Sequence, residues 1–194
     1  DLESVVLQDG VVVPRRLVEI ESVLKATAAA PADCGPGGGR QLEWKMVTAW
    51  PRDFPGLGTG ANRLAERIGQ MSGGRLTIKV YGGNELVPPF EVFDAVERGT
   101  AEMGHAASYY WKGKVPAAQF FAGVPFGLNA QELNGWLYYG GGLELWQEAY
   151  EPFGIIPFPV GNSGVQMGGW FNKEINSASD LQGLVMRIAG LGGE

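Results

Sequence analysis

Few side chains in this chain can do chemistry, and their scarcity limits what it can do. One histidine, His105, and one cysteine, Cys34, make up the whole imidazole and thiol complement of 194 residues. Histidine-based acid–base catalysis would have to run through His105 alone. A disulfide within the chain is impossible, and a Cys/His zinc site would lack ligands. His105 lies in Ala101-Glu102-Met103-Gly104-His105-Ala106-Ala107, the pattern of a short buried strand. There a hydrogen-bonded structural histidine competes with a catalytic base for which no partner is identifiable. Cys34 lies in a Gly/Pro segment without an activating neighbour, which points to an inert thiol.

Arg187 is the most pointed charged residue. It sits in Leu184-Val185-Met186-Arg187-Ile188-Ala189, apolar on both sides, a pattern that predicts a last strand at Val185–Ile188. A guanidinium buried there needs an anion, either a protein carboxylate or the carboxylate of a ligand. Bidentate pairing contributes about 1.5–3 kcal/mol and fixes the plane of the acid. Spacing alone favours the structural ion pair.

Three further segments can face a ligand. Gly161-Asn162-Ser163-Gly164-Val165-Gln166-Met167-Gly168-Gly169-Trp170 carries two amides, Asn162 and Gln166, among glycines and strand-formers. Amides can orient a neutral oxygen or complete an ion shell; a strand crossing between two lobes is the alternative, and both can hold together. Ser108-Tyr109-Tyr110-Trp111-Lys112 sets three aromatics after a buried strand, and alternation forbids all three from entering one core. Tyr109 and Tyr110 suit a ligand pocket, where a ring excludes water and a hydroxyl orients; an amphipathic surface loop is the competing reading. Gly56-Leu57-Gly58-Thr59-Gly60-Ala61 follows a strand and opens a helix, as a dinucleotide fingerprint does. Five residues, including Pro51 and Pro55, separate strand from glycines where that motif wants a tight turn. The next strand ends in Tyr81-Gly82-Gly83, with no acid for a ribose hydroxyl. A ligand-facing loop is the better reading, and a cofactor-binding α/β enzyme using Gly56–Ala61 is the alternative function.

The elements that must position these groups follow from hydrophobic period. Trp44–Trp50, Leu76–Tyr81, Glu102–His105, Ile155–Val160 and Val165–Phe171 read as strands. Leu57, Ala61, Leu64, Ala65, Ile68 and Met71 have helical spacing, ended by Gly73-Gly74. Pro88-Pro89 opens a helix with Phe90, Phe93 and Val96 on one face. Asn129-Ala130-Gln131-Glu132 has capping-box spacing before a helix with Leu133, Trp136 and Leu137, which breaks at Gly140–Gly142 and resumes through Leu145 and Trp146. Ser177-Ala178-Ser179-Asp180 caps a short helical turn. Strands alternating with helices predict an α/β domain with a largely parallel sheet, whose ligands sit beyond the carboxyl ends of the strands.

With 45% hydrophobic and 19% charged residues the chain can bury a core. Its net charge of −6 opposes a nucleic-acid partner, and no apolar run approaches the roughly 18 residues of a membrane span, so no direct membrane insertion is expected. Residues 1–40 differ from the rest: Arg15-Arg16, an alanine-rich run at 26–32 and Gly35-Pro36-Gly37-Gly38-Gly39 give a leader-like or disordered segment, an imperfect match to a twin-arginine signal because Glu19, Glu21 and Lys25 interrupt its apolar region. Residues 41–160 are expected to form a first α/β lobe, and 161–194 a hinge-crossing strand and the start of a second.

GNSGVQMGGWFN at Gly161–Asn172 and MRIAGLGGE at Met186–Glu194, with Trp44–Pro51, Gly83–Glu91, Ala107–Lys114 and Val124–Gln131, resemble the solute-binding subunits of tripartite ATP-independent periplasmic (TRAP) transporters. The branch binding 2-oxo acids such as pyruvate is the most similar. The resemblance implies a periplasmic-binding-protein-like fold of two α/β lobes that close on a small organic acid, a periplasmic location, TRAP membrane permease subunits as partners, and no catalysis. It puts the carboxylate on Arg187, reversing the preference from spacing. It gives Gln166 a place in the ligand and sodium shell, and sets Asn162, Trp50, Tyr109 and Tyr110 in segments lining the cleft. A Glu-Trp pair that helps hold the sodium in this branch would lie beyond residue 194, so the chain reads as an incomplete fold, the first lobe plus the start of the second.

Overall fold

The computed structural model describes the backbone of residues 5–14 and residues 41–188. Cys34, Arg15-Arg16, the alanine-rich run and residues 189–194 lie outside them. Strand β1 spans Val5–Pro14, β2 Leu42–Thr48, β3 Leu76–Tyr81, β4 Met103–Ala107 and β5 Ile155–Gln166. Helix α1 spans Leu57–Met71, α2 Val92–Glu97, α3 Ala130–Tyr139 and α4 Gly142–Tyr150. The strands form one sheet in the order β3-β2-β4-β1-β5.

The sheet is an α/β sheet but a mixed one. β2 runs parallel to β3 and to β4, whereas β1 is antiparallel to both β4 and β5. Two expectations change here. Val5–Pro14 falls in the segment read as leader-like, yet its backbone pairs on both sides; a strand needs only extended backbone and free neighbours on either edge. The two strands expected at Ile155–Val160 and Val165–Phe171 are one strand, β5, continuous through the glycines because β1 pairs along its length from Pro14↔Ile155 to Val5↔Gln166. Register shifts between Val6/Gln8 and Asp9/Gly10 absorb the irregularity. Pro157 and Pro159, which cannot donate to a ladder, are tolerated because β5 is an edge strand.

Alternation along β2 divides the core. Met46 points to one face and joins Ala61 and Ala65 of α1, Val80 and Met103. Val47 points to the other and joins Phe93, Val96, Ala106, Trp111, Leu137, Trp146, Tyr150 and Ile155. Two alanines on the buried side of α1 let that helix approach the sheet closely. All five residues of β4 are buried, as a strand covered on both faces should be.

The structure bears out the cap at Asn129: its Oδ1 accepts from the amides of Gln131 and Glu132 at 3.0 and 3.1 Å, and the Glu132 carboxylate accepts from the Asn129 amide at 2.9 Å. Helical spacing misplaced three apolar residues. Met71, the last residue of α1, is 86% exposed, and Leu145 on α4 is about half exposed. Phe90 is exposed because Pro89–Glu91 is a tighter 3₁₀ turn, which rotates it off the face that buries Phe93 and Val96. Ser177 caps the turn Ala178–Leu181, as its spacing predicts.

Two glycines in the first turn of α1 separate space from propensity. A Cβ on Gly58 would lie 2.5 Å from the carbonyl oxygens of Pro51 and Arg52, whereas one on Gly60 would meet nothing within 4 Å. Gly58→Ala should therefore destabilise by about 1–3 kcal/mol, while Gly60→Ala should stabilise by about 0.5–1 kcal/mol through helix propensity. Urea unfolding followed by tryptophan fluorescence measures both, and equal signs would overturn the reading.

Candidate functional site

The site begins at the carboxyl end of β2. Thr48 Oγ1 donates to the Trp50 carbonyl at 2.8 Å, and the same carbonyl accepts from the Gly83 amide at 2.7 Å, so the chain leaving β2 is fixed before it turns at Pro51. The Ala49 amide donates to the His105 carbonyl at 3.0 Å. Held this way, Trp50 sends its indole Nε1–H to His105 Nδ1 at 2.7 Å, within the buried interior. Tyr109 and Ala107 pack on Trp50, and Tyr110 lies 5.9 Å from it ring to ring and 4.9 Å from Tyr109. Phe90, displaced from the core, meets Tyr110 edge-on at 5.0 Å.

The loop after Trp50 is clamped to the next crossover. Arg52 and Glu85 form a two-pronged ion pair, Arg52 Nε donating to Glu85 Oε1 at 2.9 Å and Nη2 to Oε2. The Gly82 amide also donates to Glu85, at 3.1 Å. Hydrogen bonding to Arg52 holds the Glu85 carboxyl below its ordinary pKa and raises that of Arg52. Both groups are solvated, so the clamp fixes geometry more than it adds stability. Sequence reading missed it; Arg52 and Glu85 are 33 residues apart and no local spacing links them.

The Gly56–Ala61 motif turns its amides onto its own loop. The amides of Leu57, Gly58 and Thr59 donate to Pro55 and Phe54 carbonyls at 2.9–3.1 Å, and the Gly56 amide donates to Thr59 Oγ1. A dinucleotide phosphate would need those amides free. Gly58 is small so that the loop can fold onto the helix, which explains the glycine without a cofactor. The enzyme alternative finds no support here.

A cavity of about 490 Å³ opens beside this loop. Phe54–Leu57 and Gly60 form one wall, Val160–Ser163 and Gln166 of β5 another, and His105 of β4 completes the lining. Asn162 and Gln166 from the predicted set therefore share one cavity. Trp50, Tyr109 and Tyr110 do not line it; they form the aromatic layer that supports His105, and Leu57 belongs to both cavity wall and layer. Asn162 Oδ1 accepts from the Gly164 amide at 3.1 Å, leaving its NH2 as the free end, and Gln166 Nε2 donates to Ser163 Oγ at 3.4 Å, leaving Oε1. For a hard cation the lining offers neutral side-chain oxygens and no carboxylate, part of a shell rather than a whole one. No cluster of three or more His, Cys, Asp or Glu that could hold a metal occurs among the described residues.

Arg187 is placed differently from its sequence expectation. Residues 184–188 form no strand and are exposed. An apolar run becomes a strand only where a neighbouring edge accepts its hydrogen bonds, and none does so here among the described residues. The segment is nonetheless anchored beside the end of β5: the Met186 side chain occupies the space that a Cβ on Gly169 would need. A second, larger cavity of about 730 Å³ lies on the opposite side, between Phe120, Leu128, Trp136 and Leu145, and is lined almost wholly by apolar groups.

Residues 46–192 match the family model of the bacterial extracellular solute-binding proteins, family 7. The chain belongs to that family. Over 153 residues it is 52% identical to a monocarboxylate 2-oxoacid-binding periplasmic protein of a Nostoc species, covering 79% of this chain and 42% of the relative. A TRAP periplasmic solute-binding protein of Pseudoalteromonas atlantica, solved with bound sodium and pyruvate, is 48% identical with a TM-score of 0.74, covering 78% of this chain and 46% of that one. One from Colwellia psychrerythraea, solved with calcium and pyruvate, is 48% identical with a TM-score of 0.75 over the same shares. The α/β fold of this family member is thus the TRAP solute-binding fold, and the chain spans less than half the length of each of these relatives. No helix among its described residues is long and apolar enough to cross a membrane.

Burial lowers the His105 pKa to about 4. In the unfolded chain it would titrate near 6.5, so between those values the unfolded state binds a proton that the folded state excludes. Its contribution to stability is complete above about pH 6.5 and is lost as pH falls toward about 4, a difference of about 3 kcal/mol. Carboxylates with lowered pKa lose stability in the same direction, so His105→Gln isolates the histidine: urea midpoints should fall less steeply with acidification in the variant. Parallel pH curves would show that His105 is not buried as neutral imidazole.

Proposed function

We propose that this chain carries much of the ligand-receiving lobe of a TRAP transporter's periplasmic receptor, which captures a small 2-oxo monocarboxylate such as pyruvate and delivers it to the membrane permease. The observation that carries this reading is the cavity that gathers Asn162, Gln166 and His105, in a chain 48% identical to proteins solved with pyruvate. Its lining is suited to holding a small molecule by hydrogen bonds; the Ser163 hydroxyl in it accepts from Gln166 and makes no hydrogen bond to His105, the pairing a nucleophile would need.

In this reading Arg187 takes the ligand carboxylate. Its exposed position beside the Gly169–Met186 contact fits a group that meets the acid when two lobes close, driven by contacts made only in the closed state. Gln166 Oε1 supplies one ligand to a cation, sodium in this reading, that bridges protein and acid. Asn162 orients a ligand oxygen through its free NH2, while Trp50, Tyr109 and Tyr110 keep the base of the site dry and rigid.

Two measurements test these roles. Calorimetric titration with pyruvate in sodium buffer should show Arg187→Ala binding about ten- to a hundredfold more weakly, with Arg187→Lys recovering little because the planar fork is lost. Unchanged affinity in the alanine variant would remove Arg187 from the site. Replacing sodium by a large organic cation should weaken binding by the parent and leave Gln166→Ala nearly indifferent; equal sodium dependence would exclude Gln166 as an ion ligand.

A further inference from the structure

We infer that His105 is a ligand-facing hydrogen-bond donor, fixed by Trp50 in the tautomer with its proton on Nε2, and that it selects a 2-oxo acid over the corresponding 2-hydroxy acid. The inference rests on the binding function proposed above and concerns the specificity of that same cavity.

The tautomer follows from the donor rather than from any choice about the ring. An indole N–H can only donate. With Trp50 Nε1 2.7 Å from His105 Nδ1, that nitrogen must carry its lone pair, so a neutral imidazole holds its proton on Nε2. Trp50 is itself held by the hydrogen bonds its carbonyl accepts from Thr48 Oγ1 and the Gly83 amide and by the rings of Tyr109 and Tyr110, so the imidazole that accepts from its indole keeps Nδ1 turned from the cavity. Burial keeps the imidazole uncharged at neutral pH. With Nδ1 engaged, the edge left for the cavity is the one bearing Nε2–H.

The neighbouring amide repeats the pattern. Asn162 spends its oxygen on the Gly164 amide and keeps its NH2. His105 and Asn162 thus present donors on one cavity. A keto oxygen accepts from both without a proton of its own to place. A hydroxyl in its position carries a hydrogen that faces donors; with Gln166 Oε1 taken by the cation, as proposed above, that hydrogen is buried unpaired, which is unfavourable.

The single histidine makes the test direct. Protein labelled with 15N-histidine should show one imidazole with a protonated Nε2 and an unprotonated Nδ1, and titration with pyruvate should shift the Nε2 signal. Pyruvate should bind at least about tenfold more tightly than lactate. His105→Leu should weaken pyruvate binding and bring the two acids close to parity. His105→Gln, which can place an amide donor near the Nε2 position, should restore much of the preference. A protonated Nδ1, or a pyruvate-to-lactate ratio unchanged in His105→Leu, overturns the inference while leaving the carboxylate-binding function standing. Failure of both acids to bind the parent overturns the binding function itself, and this inference with it.

Discussion

The hydrogen bond from Trp50 to His105 is the constraint on which the rest of the site depends. It joins the end of β2 to the middle of β4, two strands already paired in parallel, through a contact sealed from water. A buried indole N–H without an acceptor is costly, and a buried imidazole is tolerable only when neutral and hydrogen-bonded. Each ring answers the other's need. The pairing fixes where the chain leaves β2, and so where the loop from Pro51 begins. It also determines which edge of the only histidine meets the cavity.

From that starting point the loop geometry follows. The Arg52–Glu85 clamp holds the loop against the β3–α2 crossover, and the first turn of α1 directs its amides to loop carbonyls. The glycines permit this inward fold; Gly58 in particular leaves room for two carbonyl oxygens. A glycine-rich helix start can therefore serve two opposite ends. Where its amides are free it cradles phosphate, and where they are spent on its own loop it forms the wall of a cavity. Only the destination of the hydrogen bonds separates the two.

The cavity lies where two kinds of structure meet. One wall comes from the well-packed parallel strands and α1; the other comes from β5 after it has left the core, with exposure rising beyond Pro157. The two walls differ accordingly: one is fixed by the core, and the other is an edge strand carrying Asn162 and Gln166 that leads toward Met186 and Arg187. The chain spans 42% of the length of its Nostoc relative.

Local sequence determined the elements. Period-two runs marked β2 and β3, a short apolar run marked β4, helical spacing marked α1, α3 and α4, and the Asn129 and Ser177 caps fell where their side chains predicted, because these signals depend on neighbours a few residues away. It also named the amides Asn162 and Gln166, which the fold then brought into one cavity. Tertiary structure decided what depends on distant partners: the antiparallel place of Val5–Pro14, the continuity of β5, the unpaired state of residues 184–188, and the role of the glycine loop. Trp50 and His105 are 55 residues apart, and no periodicity connects them. The sequence supplied an imidazole and an indole; only the fold determined which nitrogen would keep its proton, because that is settled by the one donor placed within reach.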